Sequence, residues 1–197
     1  DWNGVPLVIS RTGWSSELGY EIFLRDGASG SALWDYLMDV GGPMGLKPGH
    51  TSSIRRIEAA MLSYHADMTL KNNPFELGMD RLVDLDMEID FVSKAALTRI
   101  RDEGVSQLQV GLVFDGAPIS GSNDEYWPVL VDGQKVGQVT SAVYSPRLEQ
   151  NIALALVAVA HAGIGTKAMI DMSGEPRGCE IVQKPFFDPK KAIAAKG

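Results

Sequence analysis

The chain has 197 residues, of which 45% are hydrophobic and 22% charged, and its formal net charge is −7. This composition is typical of a folded globular protein, and the acidic balance argues against a general nucleic-acid binder or a partner of anionic membranes. The single cysteine, Cys179, cannot form an internal disulfide, so we expect a soluble cytoplasmic protein.

Strands and helices alternate through the first hundred residues. β-branched and aromatic runs predict strands at 5–10 and 20–24, with a loop around Gly13 and Gly19 between them. Apolar residues at helical spacing predict a helix over 33–38, which Gly41-Gly42-Pro43 ends. A second helix is predicted from the Thr51-Ser52-Ser53 cluster, whose hydroxyls suit an N-cap, to about Tyr64.

Three further elements complete this half. Asn72-Asn73-Pro74 is typical of a turn, and 82–85 is predicted to be a short strand. A third helix is expected over 93–103, closed by Gly104.

The pattern changes after Gly104. Six strands are expected at 108–113, 129–131, 136–143, 152–159, 169–171 and 180–182. Asp132-Gly133 is a strong two-residue hairpin signal. Short strands without helices between them favour a small antiparallel barrel or sandwich. We therefore expect one domain over 1–104 and a second over 105–197.

Several kinds of site lack support in the sequence. The histidines at 50, 65 and 161 do not cluster with the cysteine, so no metal site is predicted. The glycine-rich stretches lack the signatures of phosphate-binding loops. Cys179 could act as a nucleophile with a distant histidine, but a free cysteine more often fills core space.

The segment 11–21 places two aromatic and two acidic residues around two glycines. An aromatic ring with a carboxylate suits a flat nitrogen heterocycle, which stacks while the carboxylate accepts paired hydrogen bonds. The alternative is a surface loop in which Trp14 packs as a lid on the core. By contrast, Arg55, Arg56 and Glu58 share one helix and by themselves indicate a solvated charge pattern.

Taken in order, these segments resemble the glycine-cleavage T-protein (aminomethyltransferase) family. Residues 11–22, RTGWSSELGYEI, are similar to its Thr-Gly-Tyr-Thr-Gly-Glu-x-Gly-aromatic-Glu signature. NPFELG at 73–78 and DFVSKAAL at 90–97 are similar to the next landmarks, and GQVTS at 137–141 with NIALA at 151–155 to the C-terminal barrel. The resemblance covers almost the whole chain.

The resemblance implies an α+β fold, with a ferredoxin-like α/β layer followed by a small antiparallel β-barrel. It implies that the cofactor is tetrahydrofolate, whose pterin ring binds in a central channel. In the family the glutamate closing the signature hydrogen-bonds the pterin, and an aromatic residue seven positions earlier lines the pocket. By position these are Glu21 and Trp14.

One departure bears on the donor of the one-carbon group. The family's aminomethyltransferases carry Ala-Arg-Asp before a Leu-Arg-x-Glu helix, and alignment from Glu58 places Ser52 and Ser53 at the Arg and Asp positions. The run 61–68 followed by NNP at 72–74 is more similar to dimethylsulfoniopropionate demethylases. This favours methyl transfer from a small-molecule donor over aminomethyl transfer.

Family chains are about twice this length, and their catalytic aspartate lies in the N-terminal half. We therefore expect this chain to be the C-terminal half of a longer polypeptide, with that N-terminal half as its partner and no catalytic residue assignable here. Two alternatives remain open: a non-catalytic folate-binding module with an assembly or regulatory role, and the folate-side tail of a flavin-linked dimethylglycine or sarcosine dehydrogenase.

Overall fold

The computed structural model describes residues 1–50 and 52–195. It divides into two compact units, one comprising Asp1–Ser52 with the chain from Lys190 onward, and the other Ser53–Pro189. Thr51, part of the predicted N-cap cluster, lies outside the described residues. No helix in the described ranges is long and apolar enough to cross a membrane.

The first unit holds a two-stranded sheet and a helix. Strands β1 (Leu7–Ser10) and β2 (Glu21–Leu24) pair antiparallel, with Leu7 opposite Leu24 and Ser10 opposite Glu21. Helix α1 spans Gly30–Gly41 and passes into a 3₁₀ turn at Gly42–Met44, as the Gly-Gly-Pro signal predicts. A short helix, which we label α4, covers Ala192–Ala195.

The second unit contains a closed six-stranded antiparallel barrel. Its strands are β3 (Gln107–Phe114), β4 (Trp127–Val131), β5 (Gln134–Ser145), β6 (Gln150–Ala158), β7 (Lys167–Met172) and β8 (Glu175–Val182). They follow the order β3-β6-β5-β4-β7-β8, and β8 pairs with β3 to close the barrel. Asp132 and Gly133 turn β4 into β5 with φ angles of 49° and 76°, as the hairpin signal requires. All six predicted strands are confirmed.

Strand β6 is buried on both faces. Ala153, Ala155 and Val157 belong to the interior cluster of the barrel. Ile152 and Leu154, which alternate with them, belong to a second cluster that contains Ile57 from helix α2 (Ser53–Glu58). Helix α2 therefore covers the outer face of the barrel.

Helix α2 ends at Glu58, and the predicted extension to Tyr64 is wrong. Ala60 takes a left-handed φ of 54°, and its N–H bonds Ile57 O while Met61 N–H bonds Arg56 O. These two bonds form a Schellman cap, which satisfies the last carbonyls and stops the helix. The apolar spacing alone did not reveal this stop, because alanine rather than glycine occupies the left-handed position.

Helix α3 (Lys94–Glu103) is confirmed, and Gly104 follows it with φ 81°. The predicted strand at 82–85 is wrong, because a 3₁₀ turn at Asp80–Leu82 and bends occupy this segment. The Asp84 carboxylate accepts from the N–H groups of Asp86 and Met87, and this local capping favours a turn over an extended strand.

The predicted α+β class, with a small antiparallel barrel after a mixed helix and strand region, is confirmed. Along the chain the division falls between Ser52 and Ser53, so the segment with α2 and α3 belongs to the barrel unit. The division near Gly104 stays a prediction about domain organisation.

Candidate functional site

The two residues predicted to bind a pterin lie on the loop between β1 and β2 and at the start of β2. Glu21 opens β2, and its carboxylate accepts a hydrogen bond from the Thr12 hydroxyl. A β-carbon on Gly19 would lie 3.8 Å from Thr12 O, so the two ends of the loop are close together. Trp14 lies on the loop between them, with 45% of its surface exposed.

This arrangement leaves both residues available to a ligand. Glu21 is exposed, and its bond with Thr12 restricts the orientation of the carboxylate. Trp14 keeps 45% of its surface exposed, and its role in lining a pocket stays a prediction. An oriented carboxylate and an accessible indole suit a flat heterocycle with N–H donors.

In the second unit, Arg56 of α2 forms a buried ion pair with Asp67. Arg56 Nη1 lies 2.8 Å from Asp67 Oδ2, and the side chains are 7% and 0% exposed. The N–H of Ser63 also donates to Asp67 Oδ2 at 2.9 Å. The interpretation of Arg56 as part of a solvated charge pattern is therefore wrong, because a partner distant in sequence neutralises it inside the fold.

Two consecutive residues of β5 complete this ion pair. The Thr140 hydroxyl donates to Asp67 Oδ1 at 2.6 Å, and Arg56 Nη2 donates to Ser141 Oγ at 2.8 Å. The register of β5 against β6 shifts between Val139 and Ser141, which leaves Thr140 unpaired in the ladder. Side chains of consecutive residues in a regular strand point to opposite faces of the sheet. The bulge instead turns the side chains of Thr140 and Ser141 toward the same Arg56–Asp67 ion pair.

Glu58 forms a second buried network and is only 1% exposed. Its Oε2 atom lies 2.8 Å from Arg55 Nη1 and 3.6 Å from Arg147 Nη1. Its Oε1 atom accepts from the Ser145 hydroxyl at 2.6 Å. The Arg147 guanidinium in turn lies 4.0 Å from the ring centre of Phe187. The predicted solvated role of Glu58 is also wrong, and both networks hold α2 on the barrel.

The pKa values of two side chains in the barrel unit, Cys179 and Lys184, are shifted from their ordinary values. Burial, with a smaller contribution from Asp115, raises the pKa of the Cys179 thiol to about 11, which keeps it protonated and unreactive at neutral pH. Cys179 is 6% exposed within the interior cluster and fills core space as expected. Burial lowers the pKa of the Lys184 amine to about 8, against a smaller opposing effect of Asp67.

Two of the open clefts on the barrel unit lie beside charged side chains. One, of about 660 Å³, lies beside Cys179, Lys167 and Glu180. The other, of about 570 Å³, lies between the 66–72 segment and β5, beside Lys71, Lys135 and Gln138. Across the described ranges, no group of three or more His, Cys, Asp and Glu residues could hold a metal ion.

Comparison with known proteins identifies the class to which this fold belongs. The family model for the GCVT N-terminal domain matches residues 1–87, and that for the glycine cleavage T-protein C-terminal barrel domain matches 108–188. The crystal structure of glycine cleavage system aminomethyltransferase T from Bartonella henselae superposes with a TM-score of 0.76 at 21% identity. The match covers 92% of this chain and 50% of that one.

Relatives by sequence agree with the family models. An aminomethyltransferase from Symbiobacterium thermophilum is 37% identical over 191 residues, covering 94% of this chain and 49% of its own. The dimethylsulfoniopropionate demethylase DmdA from Ruegeria pomeroyi is 36% identical over 165 residues, which cover 84% of this chain and 44% of the demethylase. The chain belongs to the glycine cleavage T-protein family, as its motifs predict. It spans about half the length of the curated relatives it matches.

Proposed function

We propose that this chain is the C-terminal part of a tetrahydrofolate-dependent one-carbon transferase. The observation that carries the proposal is the exposed Glu21 carboxylate, oriented by Thr12 on the same loop as the accessible Trp14. Membership in a family with aminomethyltransferase and demethylase members supports the same activity. A cytoplasmic location is part of this proposal.

The residues present fit a reduced pterin. Glu21 would accept hydrogen bonds from ring and exocyclic N–H groups, and Trp14 would cover part of the ring. The cofactor, when bound, supplies the nitrogen that takes up the one-carbon unit. Holding donor and acceptor in one channel supplies much of the rate enhancement, because it replaces a bimolecular encounter. The catalytic acid belongs to the N-terminal half of the longer polypeptide in this proposal.

We further propose a small-molecule methyl donor. The serines at 52 and 53 stand where the aminomethyltransferase pattern has arginine and aspartate, so neither charge is available at these positions. The 36% identity with a demethylase is compatible with this choice, although aminomethyltransferases match equally well.

The test is to incubate the protein, together with its N-terminal half, with tetrahydrofolate and candidate donors, and to identify the folate product by mass spectrometry. Methyl-tetrahydrofolate would support demethylation, whereas methylene-tetrahydrofolate with released ammonia would support aminomethyl transfer. Folate binding without any folate product would favour the non-catalytic module instead. Product formation that persists undiminished in Glu21→Ala would remove Glu21 from the site.

A further inference from the structure

Lys184 follows β8, and its side chain lies against the neighbouring strand β3. Its Nζ atom donates a hydrogen bond to Gln109 Oε1. Its β-carbon lies 3.3 Å from where a β-carbon on Gly111 would stand. The absence of a side chain at Gly111 thus lets the lysine stem lie against β3, with the amine held at Gln109.

The amide of Gln109 is incompletely satisfied. Gln109 is 5% exposed, and its Nε2 is the one buried side-chain nitrogen or oxygen without a hydrogen-bond partner among the residues described. A buried amide N–H without an acceptor costs about 1–3 kcal/mol, so native structures rarely keep one without a use. The unused N–H donor therefore belongs to the same amide group whose oxygen accepts from the Lys184 amine.

Two acidic residues of this region already have partners. Asp67 acts on Lys184 and favours its protonated form, but Asp67 is itself paired with Arg56. Glu76, whose backbone carbonyl accepts from Gln109 N–H, has its carboxylate engaged by Asn72 and Gln107. Burial consequently prevails, and the pKa of the amine is about 8. About a quarter of Lys184 is uncharged at about pH 7.5, against about a thousandth of an ordinary lysine.

We propose that Lys184 is a carbamylation site at which the amine adds carbon dioxide, and that the free N–H of Gln109 binds an oxygen of the carbamate. The nucleophile is a half-buried amine, which partial desolvation activates. Carbon dioxide is small enough to reach an amine that is partly exposed.

The reaction needs no other reactant. The nitrogen lone pair forms a C–N bond to carbon dioxide, and the electron pair of one C=O bond moves onto oxygen. The amine then loses a proton to solvent, so one neutral amine and one carbon dioxide give one carbamate and one proton. An imine formed from an aldehyde would offer no oxygen to the Gln109 N–H, which is why the geometry favours the carbamate.

The proposal is tested by converting the carbamate into a stable ester that mass spectrometry can detect. The intact protein is equilibrated with ¹³C-bicarbonate at about pH 7.5, alkylated with triethyloxonium, digested and mapped by mass spectrometry. Lys167 provides an internal control, because it is exposed, donates to Glu180 and has its pKa raised by that contact. We expect about tenfold or more label at Lys184 relative to Lys167, from the difference in uncharged amine.

Two variants make the result decisive. Lys184→Arg should carry no label at this position, and Gln109→Leu should reduce the label at Lys184 by about threefold or more, since it removes the donor to the carbamate. Circular dichroism would establish that both variants fold. Equal labelling of Lys184 and Lys167 would overturn the proposal, and so would full labelling of Lys184 in a folded Gln109→Leu protein.

Discussion

The guanidinium of Arg56 and the carboxylate of Asp67 meet 2.8 Å apart in the interior of the barrel unit. Thr140 and Ser141, brought to one side by a β-bulge, add hydrogen bonds to both members of the pair. A buried ion pair tolerates removal of one partner poorly, because the other charge stays in a low-dielectric interior. The pair therefore joins α2, the 61–68 segment and β5 into one structural element.

Asp67→Asn should destabilise the protein strongly. The substitution keeps the shape of the side chain but leaves Arg56 buried without a countercharge, at a cost of about 3–5 kcal/mol. Urea unfolding monitored by circular dichroism measures this cost. Asp86→Asn is the matched control, because Asp86 is 94% exposed and lies 3.6 Å from Arg101, a pair worth at most about 1 kcal/mol. Similar losses in the two variants would contradict the buried role of Asp67.

Thr140→Val tests the hydrogen bond that Thr140, at the bulge, donates to Asp67. Valine keeps the β-branched shape but removes the hydroxyl that donates to Asp67 Oδ1, so we expect a loss of about 1–3 kcal/mol in the free energy of unfolding. Thr69→Val removes only an exposed hydroxyl that accepts from Lys71 N–H in a surface turn, so it should cost no more than about 0.5 kcal/mol. If Thr140→Val proved neutral in the same urea titration, the hydroxyl would have no part in stabilising the ion pair.

Gly137→Ala should prevent normal barrel closure. A β-carbon at this position would overlap the carbonyl oxygen of Leu156 and lie 2.8 Å from Val157 Cα, and backbone atoms of β6 cannot move aside cheaply. We expect at least about 3 kcal/mol of destabilisation or failure to fold. At Gly163 the nearest atom to a new β-carbon is Thr166 Oγ1 at 3.6 Å, so Gly163→Ala should remain within about 1 kcal/mol of the parent. Thermal melting of both variants distinguishes these outcomes.

Lys184 should make stability rise with pH in the alkaline range. Its pKa is about 8 in the fold and 10.5 ordinarily, so between these values the unfolded chain binds more protons and folding gains stability as pH rises. Relative to Lys184→Met, the parent should gain up to about 3 kcal/mol across this window. The pKa of Cys179 is raised, which acts in the opposite direction above pH 9, but both proteins carry this contribution and it cancels in the difference. A difference that stays constant with pH would contradict the burial of the amine.

Glu21→Ala should weaken folate binding in the full-length protein. Loss of the carboxylate leaves pterin donors unpaired, at a cost of about 1–3 kcal/mol, or about 5- to 150-fold in Kd. Isothermal titration calorimetry measures the change. Asp39→Ala on α1 removes an exposed carboxylate from the same unit and should leave Kd unchanged. Equal affinity of the Glu21→Ala variant and the parent would exclude Glu21 from the folate site.

Local patterns in the sequence predicted the elements whose signals are short in range. The barrel strands, the Asp132-Gly133 hairpin and α3 with its Gly104 terminus all depend on neighbouring residues, and the structure confirms them. Trp14 and Glu21 came from the family motif, and their role in binding stays a prediction. The errors at 59–64 and 82–85 arose where a left-handed alanine and an aspartate turn stopped regular structure without the usual glycine or proline signal.

What the sequence by itself determined was therefore the class of fold, the order of its strands along the chain and membership in the T-protein family. Only the tertiary structure decided which charges are buried. Arg56 meets Ser141 across 85 positions, Glu58 meets Ser145 across 87, and Lys184 meets Gln109 across 75. Such pairs depend on barrel closure and on the bulge at Thr140, and because side-chain periodicity reports only which face of an element is apolar, it cannot identify a partner on another strand.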